Sequence, residues 1–327
     1  MGKKKTGFYH GQNFLLFLSM LAFVLIASQA LLWSEENYAK IFSKTEEFIE
    51  FKKTKKTFVP IPQLKEEVLS FPIISAQAAL AIDLSSMVPL YEKNPDAPLM
   101  PASTTKIVTA LVALENYPSE AILKVEGKKV EGQKMNLLKG EEITAENLIK
   151  GLLISSANDA AEVLADNFPG GREAFVKAMN QKAKELHLTN TNFKNPTGFD
   201  GQGHFSTARD LVRVSIIAMQ NPKFSEIVKI KELTVQSADG QIKHELANTN
   251  KLLGEEGVLG VKTGWTENAR ENLVTYLEKD DKKIMLALLG SQDRFGETKE
   301  LMDWIFSSYE WKEVQLETSS WNPKIRN

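Results

Sequence analysis

The longest apolar stretch of the chain comes first. Gly11 to Ser34 contains no charged residue, and Phe14 to Trp33 is built mainly of Phe, Leu, Val, Ile and Ala. At about 1.5 Å of rise per residue such a run spans roughly 30 Å as a helix, the hydrocarbon thickness of a bilayer. Lys3, Lys4 and Lys5 precede it and Glu35 and Glu36 follow, so the positive-inside rule places the amino terminus in the cytoplasm. The pattern predicts a cytoplasmic tail and a transmembrane signal-anchor over residues 1–34. The competing reading is a cleaved signal peptide, since Ser28-Gln29-Ala30 fits a small-x-small cleavage site. The apolar run continues past it through Leu31, Leu32 and Trp33, which favours retention. Both readings export the rest of the chain.

Residues 35–70 have the character of a juxtamembrane stalk. Tyr38, Ile41, Phe42, Phe48 and Ile49 recur at helical spacing, and Lys52, Lys53, Lys55 and Lys56 follow as a solvated face or a membrane-surface contact. Pro60 and Pro62 close the segment, as prolines commonly end helices. A folded domain is expected over 71–310, with a tail at 311–327.

Inside that domain the period changes. Ile74, Ala76, Ala78, Leu80 and Ile82 alternate with Ser75, Gln77, Ala79, Ala81 and Asp83, a strand pattern, and a second strand is expected around 88–91. Helical spacing then dominates from Pro101 to about Gln220, with segments at 145–153, 159–166, 173–186 and 207–219. Strands return at 233–236, 258–263, 272–278 and 284–289, Asp280-Asp281 marking a hairpin, and 297–306 reads as a last helix. Strands, many helices, strands, helix is most economically an α+β domain: one largely antiparallel sheet built from both ends, with a helical insertion.

Composition narrows the chemistry. Lys plus Arg is 40 and Asp plus Glu is 42 in 327 residues, a net charge of -2 that gives no general drive towards nucleic acid. With no cysteine, disulfides, thiol catalysis, Cys-ligated zinc and iron–sulfur clusters are excluded. The four histidines show no HxxxH spacing, so neither a metal site nor a cofactor is expected.

Pro101-Ala102-Ser103-Thr104-Thr105-Lys106 sets a serine three residues before a lysine at a helix start. Positions i and i+3 share a helix face, so Lys106 can reach the Ser103 hydroxyl. A serine hydroxyl becomes a nucleophile when a base takes its proton, and a lysine serves as that base once burial or a neighbouring cation lowers its pKa. A helix amino terminus also favours a developing oxyanion. Alone this pattern is common, and a serine cap beside a surface lysine explains it equally well. Two more elements add to it: Ser156-Ala157-Asn158 between helices, 53 residues after Ser103, and Lys262-Thr263-Gly264 on an expected strand, 106 residues further on. Short matches recur elsewhere, at Ser320-Trp321-Asn322 and Lys5-Thr6-Gly7, so the weight lies in order and context. Ser-x-x-Lys, then Ser-x-Asn, then Lys-Thr-Gly is the signature order of penicillin-interactive enzymes.

At these residues the segment 71–310 resembles the low-molecular-weight penicillin-binding proteins, the serine-type D-alanyl-D-alanine carboxypeptidases of peptidase family S11. The resemblance extends to Ser156-Ala157-Asn158-Asp159-Ala160-Ala161, Asn195-Pro196-Thr197-Gly198, Ser206-Thr207-Ala208-Arg209-Asp210 and Gly260-Val261-Lys262-Thr263-Gly264-Trp265-Thr266. It implies a β-lactamase/DD-peptidase-like fold, a five-stranded antiparallel sheet flanked by helices with an α-helical subdomain. It implies that Ser103 attacks the carbonyl between two D-alanines, that Lys106 accepts its proton, and that Ser156 relays a proton to the leaving amine. Asn158 would hold the substrate amide and Lys106, Lys262 would set the field, and Thr263 would bind the terminal carboxylate. Gly264 would allow close approach, and the backbone N–H groups of Ser103 and Trp265 would form the oxyanion hole. The implied partners are peptidoglycan stem peptides ending in D-Ala-D-Ala, with β-lactams as covalent inhibitors and the membrane reached through the amino-terminal helix; no nucleic acid is involved.

Three other functions share these motifs: an endopeptidase on cross-linked peptidoglycan, a class A-like β-lactamase, and a non-catalytic peptidoglycan-binding protein. The β-lactamase reading lacks a Glu-x-x-Leu-Asn segment between Asn158 and Lys262, and the non-catalytic one leaves the intact Ser103, Lys106, Ser156 and Lys262 without a use. Arg270 stands where many relatives have glycine. Arg294, after the last strand, is expected to be solvated, with contact to a substrate carboxylate as the alternative.

Overall fold

The computed structural model describes residues 20–29, 31–33, 37, 59–68 and 70–313. Two units are distinguished, Met1–Thr57 and Phe58–Asn327. In the first, residues 20–29 and 31–33 are helical and mostly exposed. No helix among the described residues is long and apolar enough to cross a membrane. The first part of the expected anchor, 14–19, and most of the expected stalk, 38–58, lie outside the described residues.

The second unit is built on a five-stranded sheet in the order β3-β2-β10-β9-β8. Along the chain the strands are β1 (Ile61–Leu64), β2 (Ala78–Asp83), β3 (Pro89–Lys93), β4 (Ile122–Lys124), β5 (Glu142–Thr144), β6 (Glu232–Gln236), β7 (Lys243–Ala247), β8 (Val258–Thr266), β9 (Arg270–Lys279), β10 (Lys282–Ser291) and β11 (Tyr309–Lys312). Every pairing in the five-stranded sheet is antiparallel. The helices are α1 (Lys106–Asn116), α2 (Ala145–Ile154), α3 (Asn158–Asp166), α4 (Gly171–Glu185), α5 (Ala208–Gln220), α6 (Pro222–Ile227) and α7 (Arg294–Ser308).

Residues of β2 show why the sheet is central. All six are buried. Ala78, Leu80 and Ile82 enter the core shared with α1 to α6, whereas Ala79 and Ala81 enter the core under α7. The alternation in the sequence is therefore a division between two apolar faces, and each large aliphatic side chain buried in it contributes roughly 1.5–3 kcal/mol. The strand is also shorter than the alternation suggests. The Ser75 and Ala76 amides do not join the ladder; both donate to the buried Glu297 carboxylate, which also accepts from Ser291 Oγ.

Helix starts follow their side chains. Thr144 accepts from Asn147 N, Thr207 from Asp210 N and Asp293 from Gly296 N, each satisfying an amide that the helix leaves unpaired. The short hairpins β4–β5 and β6–β7 and the single-turn α6 complete the helical side.

Two segments sit differently from the sequence reading. Ile61–Leu64, assigned to the stalk, is a strand paired antiparallel with β11 at the opposite end of the domain, Ile61 against Lys312 and Leu64 against Tyr309. Pro62 is compatible with this because an edge strand tolerates a missing N–H. Residues 311 and 312, assigned to the tail, belong to the same pair. Arg270 adopts φ +58° at the β8–β9 hairpin, a conformation that costs a non-glycine residue about 1–2 kcal/mol, and the Thr266–Arg270 pair still closes the ladder.

Candidate active site

A 3-10 turn, Ala102–Thr105, delivers Ser103 to the start of α1, whose first residue is Lys106. The turn is held from two sides. Gly264 on β8 lies so close that a Cβ there would sit 3.0 Å from Pro101 O and 3.2 Å from Ser103 N. Gly198 lies closer still, its added Cβ falling 1.9 Å from Ala102 O. At Gly198 glycine is a packing requirement, whereas at Gly264 a side chain would need its neighbours to give by a few tenths of an ångström. Ala102 takes φ +48° and Ser156 φ +59°, so backbone strain is concentrated where Ser103 and Ser156 are presented.

Lys106 is fully buried and has three oxygen neighbours. Its Nζ lies 2.8 Å from Ser103 Oγ, 2.6 Å from Asn158 Oδ1 and 2.6 Å from the Thr197 carbonyl. Asn158, first residue of α3, is fixed in turn: its Nδ2 donates to Glu131 O and its backbone N–H to Gln133 O. Asp159 accepts from the Met135 and Leu137 amides. The Ser-x-Asn segment is thereby sewn to the loop that walls one side of the cleft.

Burial, with the charge of Lys262 second, pushes Lys106 well below the usual lysine value. The neutral form fits its contacts. A neutral amine has two N–H groups and one lone pair; the Asn158 and Thr197 oxygens accept the two N–H groups, and the lone pair is left for the Ser103 O–H.

On the opposite wall, Lys262, Thr263 and Gly264 lie in β8. Lys262 is fully buried, its Nζ donating to Thr263 O at 3.2 Å. Burial, with the Arg294 charge second, pulls it down to about 7. Thr263 Oγ1 is 2.6 Å from Thr249 Oγ1. Ser103, Ser156, Asn158, Thr263, Gly264 and Trp265 all line one cleft of roughly 650 Å³. The Lys106 and Lys262 side chains are fully buried beneath it.

Arg294 corrects an expectation. It is the first residue of α7, only partly exposed, lines the cleft and donates from Nη1 to Gly264 O at 2.8 Å, while its backbone N–H donates to Glu271 Oε2. Its guanidinium stem is covered because α7 packs against β9 and β10, a tertiary fact with no local signature. Thr249 and the Thr197 carbonyl also belong to the site without having been singled out for a role. The carbonyl had no side-chain signal to read, although its Asn-Pro-Thr-Gly turn was visible.

Among the described residues, no group of three or more His, Cys, Asp or Glu side chains is placed to hold a metal ion. No carboxylate hydrogen-bonds Ser103, Lys106 or Ser156 among those residues either.

The family model for D-alanyl-D-alanine carboxypeptidases, Peptidase S11, matches residues 65–293. The chain is 36% identical over 251 residues to D-alanyl-D-alanine carboxypeptidase DacF of Bacillus subtilis, covering 72% of this chain and 63% of the relative. It thus spans less than two thirds of that relative's length. It is 33% identical to a D-alanyl-D-alanine endopeptidase of Pseudomonas aeruginosa, covering 71% of this chain and 77% of that one. Among solved structures, the Streptomyces K15 DD-transpeptidase superimposes with a TM-score of 0.68 at 29% identity, covering 73% of this chain and 100% of that chain. With the five-stranded antiparallel sheet and the Ser103–Lys106 cleft already in place, these matches show that the chain belongs to the peptidase S11 family of D-alanyl-D-alanine carboxypeptidases.

Proposed function

We propose that the protein is a serine-type D-Ala-D-Ala carboxypeptidase that removes the terminal D-alanine from peptidoglycan pentapeptide stems through an acyl-enzyme on Ser103. The observation that carries this reading is Ser103 Oγ at 2.8 Å from a buried lysine amine whose other two oxygen neighbours accept its N–H groups.

In this mechanism Ser103 Oγ attacks the carbonyl between the two D-alanines as Lys106 takes its proton. The oxyanion is held by the Ser103 and Trp265 N–H groups, where fixed donors act with no reorganisation cost. The proton then passes by way of Ser156 to the leaving amine, D-alanine departs, and water resolves the ester with Lys106 again as base. Thr263 and Arg294, with Lys262 behind them, supply the positive end of the cleft for the substrate's terminal carboxylate. The substrate backbone lies along β8 as an added strand.

Labelled penicillin is expected to attach to Ser103, with Ser103→Ala abolishing labelling without loss of fold. Since no carboxylate among the described residues hydrogen-bonds the nucleophile or its base, the penicilloyl ester is expected to persist; rapid sustained turnover would instead indicate a β-lactamase. Incubation with synthetic pentapeptide and with cross-linked muropeptide, followed by mass measurement, tests the substrate. Release of free D-alanine from the pentapeptide is expected. Cleavage of the cross-link alone would establish the endopeptidase reading, which the similarity to the P. aeruginosa endopeptidase supports.

The apolar run Phe14–Trp33 supports a single-pass membrane protein with its catalytic domain on the extracytoplasmic side. The mature protein is expected to stay with membranes after a high-salt wash, and a mature amino terminus at Leu31 would rule this out.

A further inference from the structure

Beyond the three motifs, one turn touches both partners of the Ser103–Lys106 pair. The Thr197 carbonyl accepts from Lys106 Nζ, and the neighbouring Pro196 carbonyl accepts from Thr109 Oγ1 at 2.7 Å, one helical turn along α1. On its other side, Gly198 abuts the Ala102 carbonyl and Ser103 N, with room for no Cβ. A single side chain shapes this turn from within. Asn195 Oδ1 accepts from Gly198 N at 2.7 Å, Thr197 Oγ1 at 2.9 Å and Phe199 N at 3.1 Å, while its Nδ2 donates to Phe199 O at 2.9 Å.

We infer that Asn195 is a positioning residue for the acylation step: by closing the 195–199 turn it aims the Thr197 carbonyl at Lys106 and so turns the amine lone pair towards Ser103. The inference rests on the carboxypeptidase reading and deepens it. Lys106 has four side-chain bonds to rotate about, so burial alone leaves the direction of its lone pair open. Two fixed acceptors settle that direction. Asn158 supplies one, and the Thr197 carbonyl supplies the other. Because a carbonyl cannot be removed by substitution, the side chain that holds it is the accessible lever.

The consequences have a sign. An acceptor on the amine favours its protonated form. If the carbonyl drifts away, Lys106 becomes a weaker base as well as a misaimed one. Asn195→Ala is therefore expected to lower the plateau rate of penicillin acylation by about 10- to 100-fold, the scale of an ångström-sized misplacement. It should also move the rising limb of the pH–rate profile to lower pH. Asn195→Asp keeps acceptor oxygens for the three donors and is expected to recover most of the plateau, its added negative charge moving the limb to higher pH.

The experiment is single-turnover acylation by labelled penicillin across pH for wild type, Asn195→Ala and Asn195→Asp, normalised to folded protein by circular dichroism. Thr197→Val, nearly isosteric, removes one donor to Asn195 and is expected to show a smaller shift of the same sign. It serves if the alanine variant does not fold. A lowered plateau together with a displaced limb supports the inference. A plateau that falls with the limb unmoved is a purely structural effect and overturns it, as does a wild-type profile in Asn195→Ala. Wild-type labelling on a serine other than Ser103 would overturn the carboxypeptidase reading itself, a result separate from either of these.

Discussion

Arginine in place of Lys106 is expected to lower penicillin acylation by a factor on the order of 10²–10⁴, the range a positioned general base supplies. The guanidinium keeps N–H donors for Asn158 and Thr197, but it cannot be deprotonated at any accessible pH. The substitution therefore separates the lysine's role as a base from its role as a hydrogen-bond donor. The measurement is acylation rate by labelled penicillin, with folding checked independently. A Lys106→Arg enzyme acylating at the wild-type rate would show that the Ser103 proton leaves by another route.

The pH profile carries the same argument. Burial and then the Lys262 charge lower Lys106, so its neutral fraction grows as pH rises through that lowered value, and acylation rises with it. Lys262, drawn down to about 7 by burial and then by Arg294, loses its own charge at a further step. For a substrate bearing a terminal carboxylate, kcat/KM is accordingly expected to decline as pH rises through about 7. Lys262→Met should remove the alkaline limb and move the acid limb to higher pH, because Lys106 no longer feels the second cation. Lys262→Arg should leave the acid limb in place and displace the alkaline one upward.

Legibility in the sequence followed the range of the interaction. Ser103 and Lys106 are an i, i+3 pair, and the helices of the 101–220 region have apolar faces that repeat locally, so both could be read from short windows. Lys262-Thr263-Gly264 was placed on a strand because β-branched and apolar residues flank it. What escaped depends on distant packing. β1 is a strand only because β11, from the other end of the domain, lies beside it. Arg294 is covered only because α7 returns against the sheet. The alternation holds as far as Gln77, with Ser75 and Gln77 exposed, but within β2 Ala79, Ala81 and Asp83 are buried along with Leu80 and Ile82 because both faces are covered. The Thr197 carbonyl carries no signal of its own, since every residue offers the same group and only the folded turn aims this one at Lys106.

The two glycines that press on the nucleophile turn are equally unremarkable in composition, and one of them predicts a large effect. Gly198 sits at φ +91°, and a Cβ added there would lie 1.9 Å from Ala102 O and 2.9 Å from Ser103 N, both backbone atoms that cannot swing aside. Gly140 sits at φ +83° with nothing within 4 Å of the same added atom. Alanine at both positions meets a similar conformational cost, about 1–2 kcal/mol. Only at Gly198 is overpacking added, typically about 1–3 kcal/mol where the neighbours can shift. Gly198→Ala is therefore expected to destabilise the domain by roughly 3 kcal/mol or more and Gly140→Ala by about 1–2 kcal/mol, measured by denaturant unfolding. The two should also differ in kind. The Gly198 clash falls on the peptide that presents Ser103, so the fraction that still folds should label with penicillin at least ten-fold more slowly. Gly140→Ala should label at the wild-type rate per folded molecule. Equal stability and equal labelling in the two variants would show that the 195–199 turn does not bear on the nucleophile.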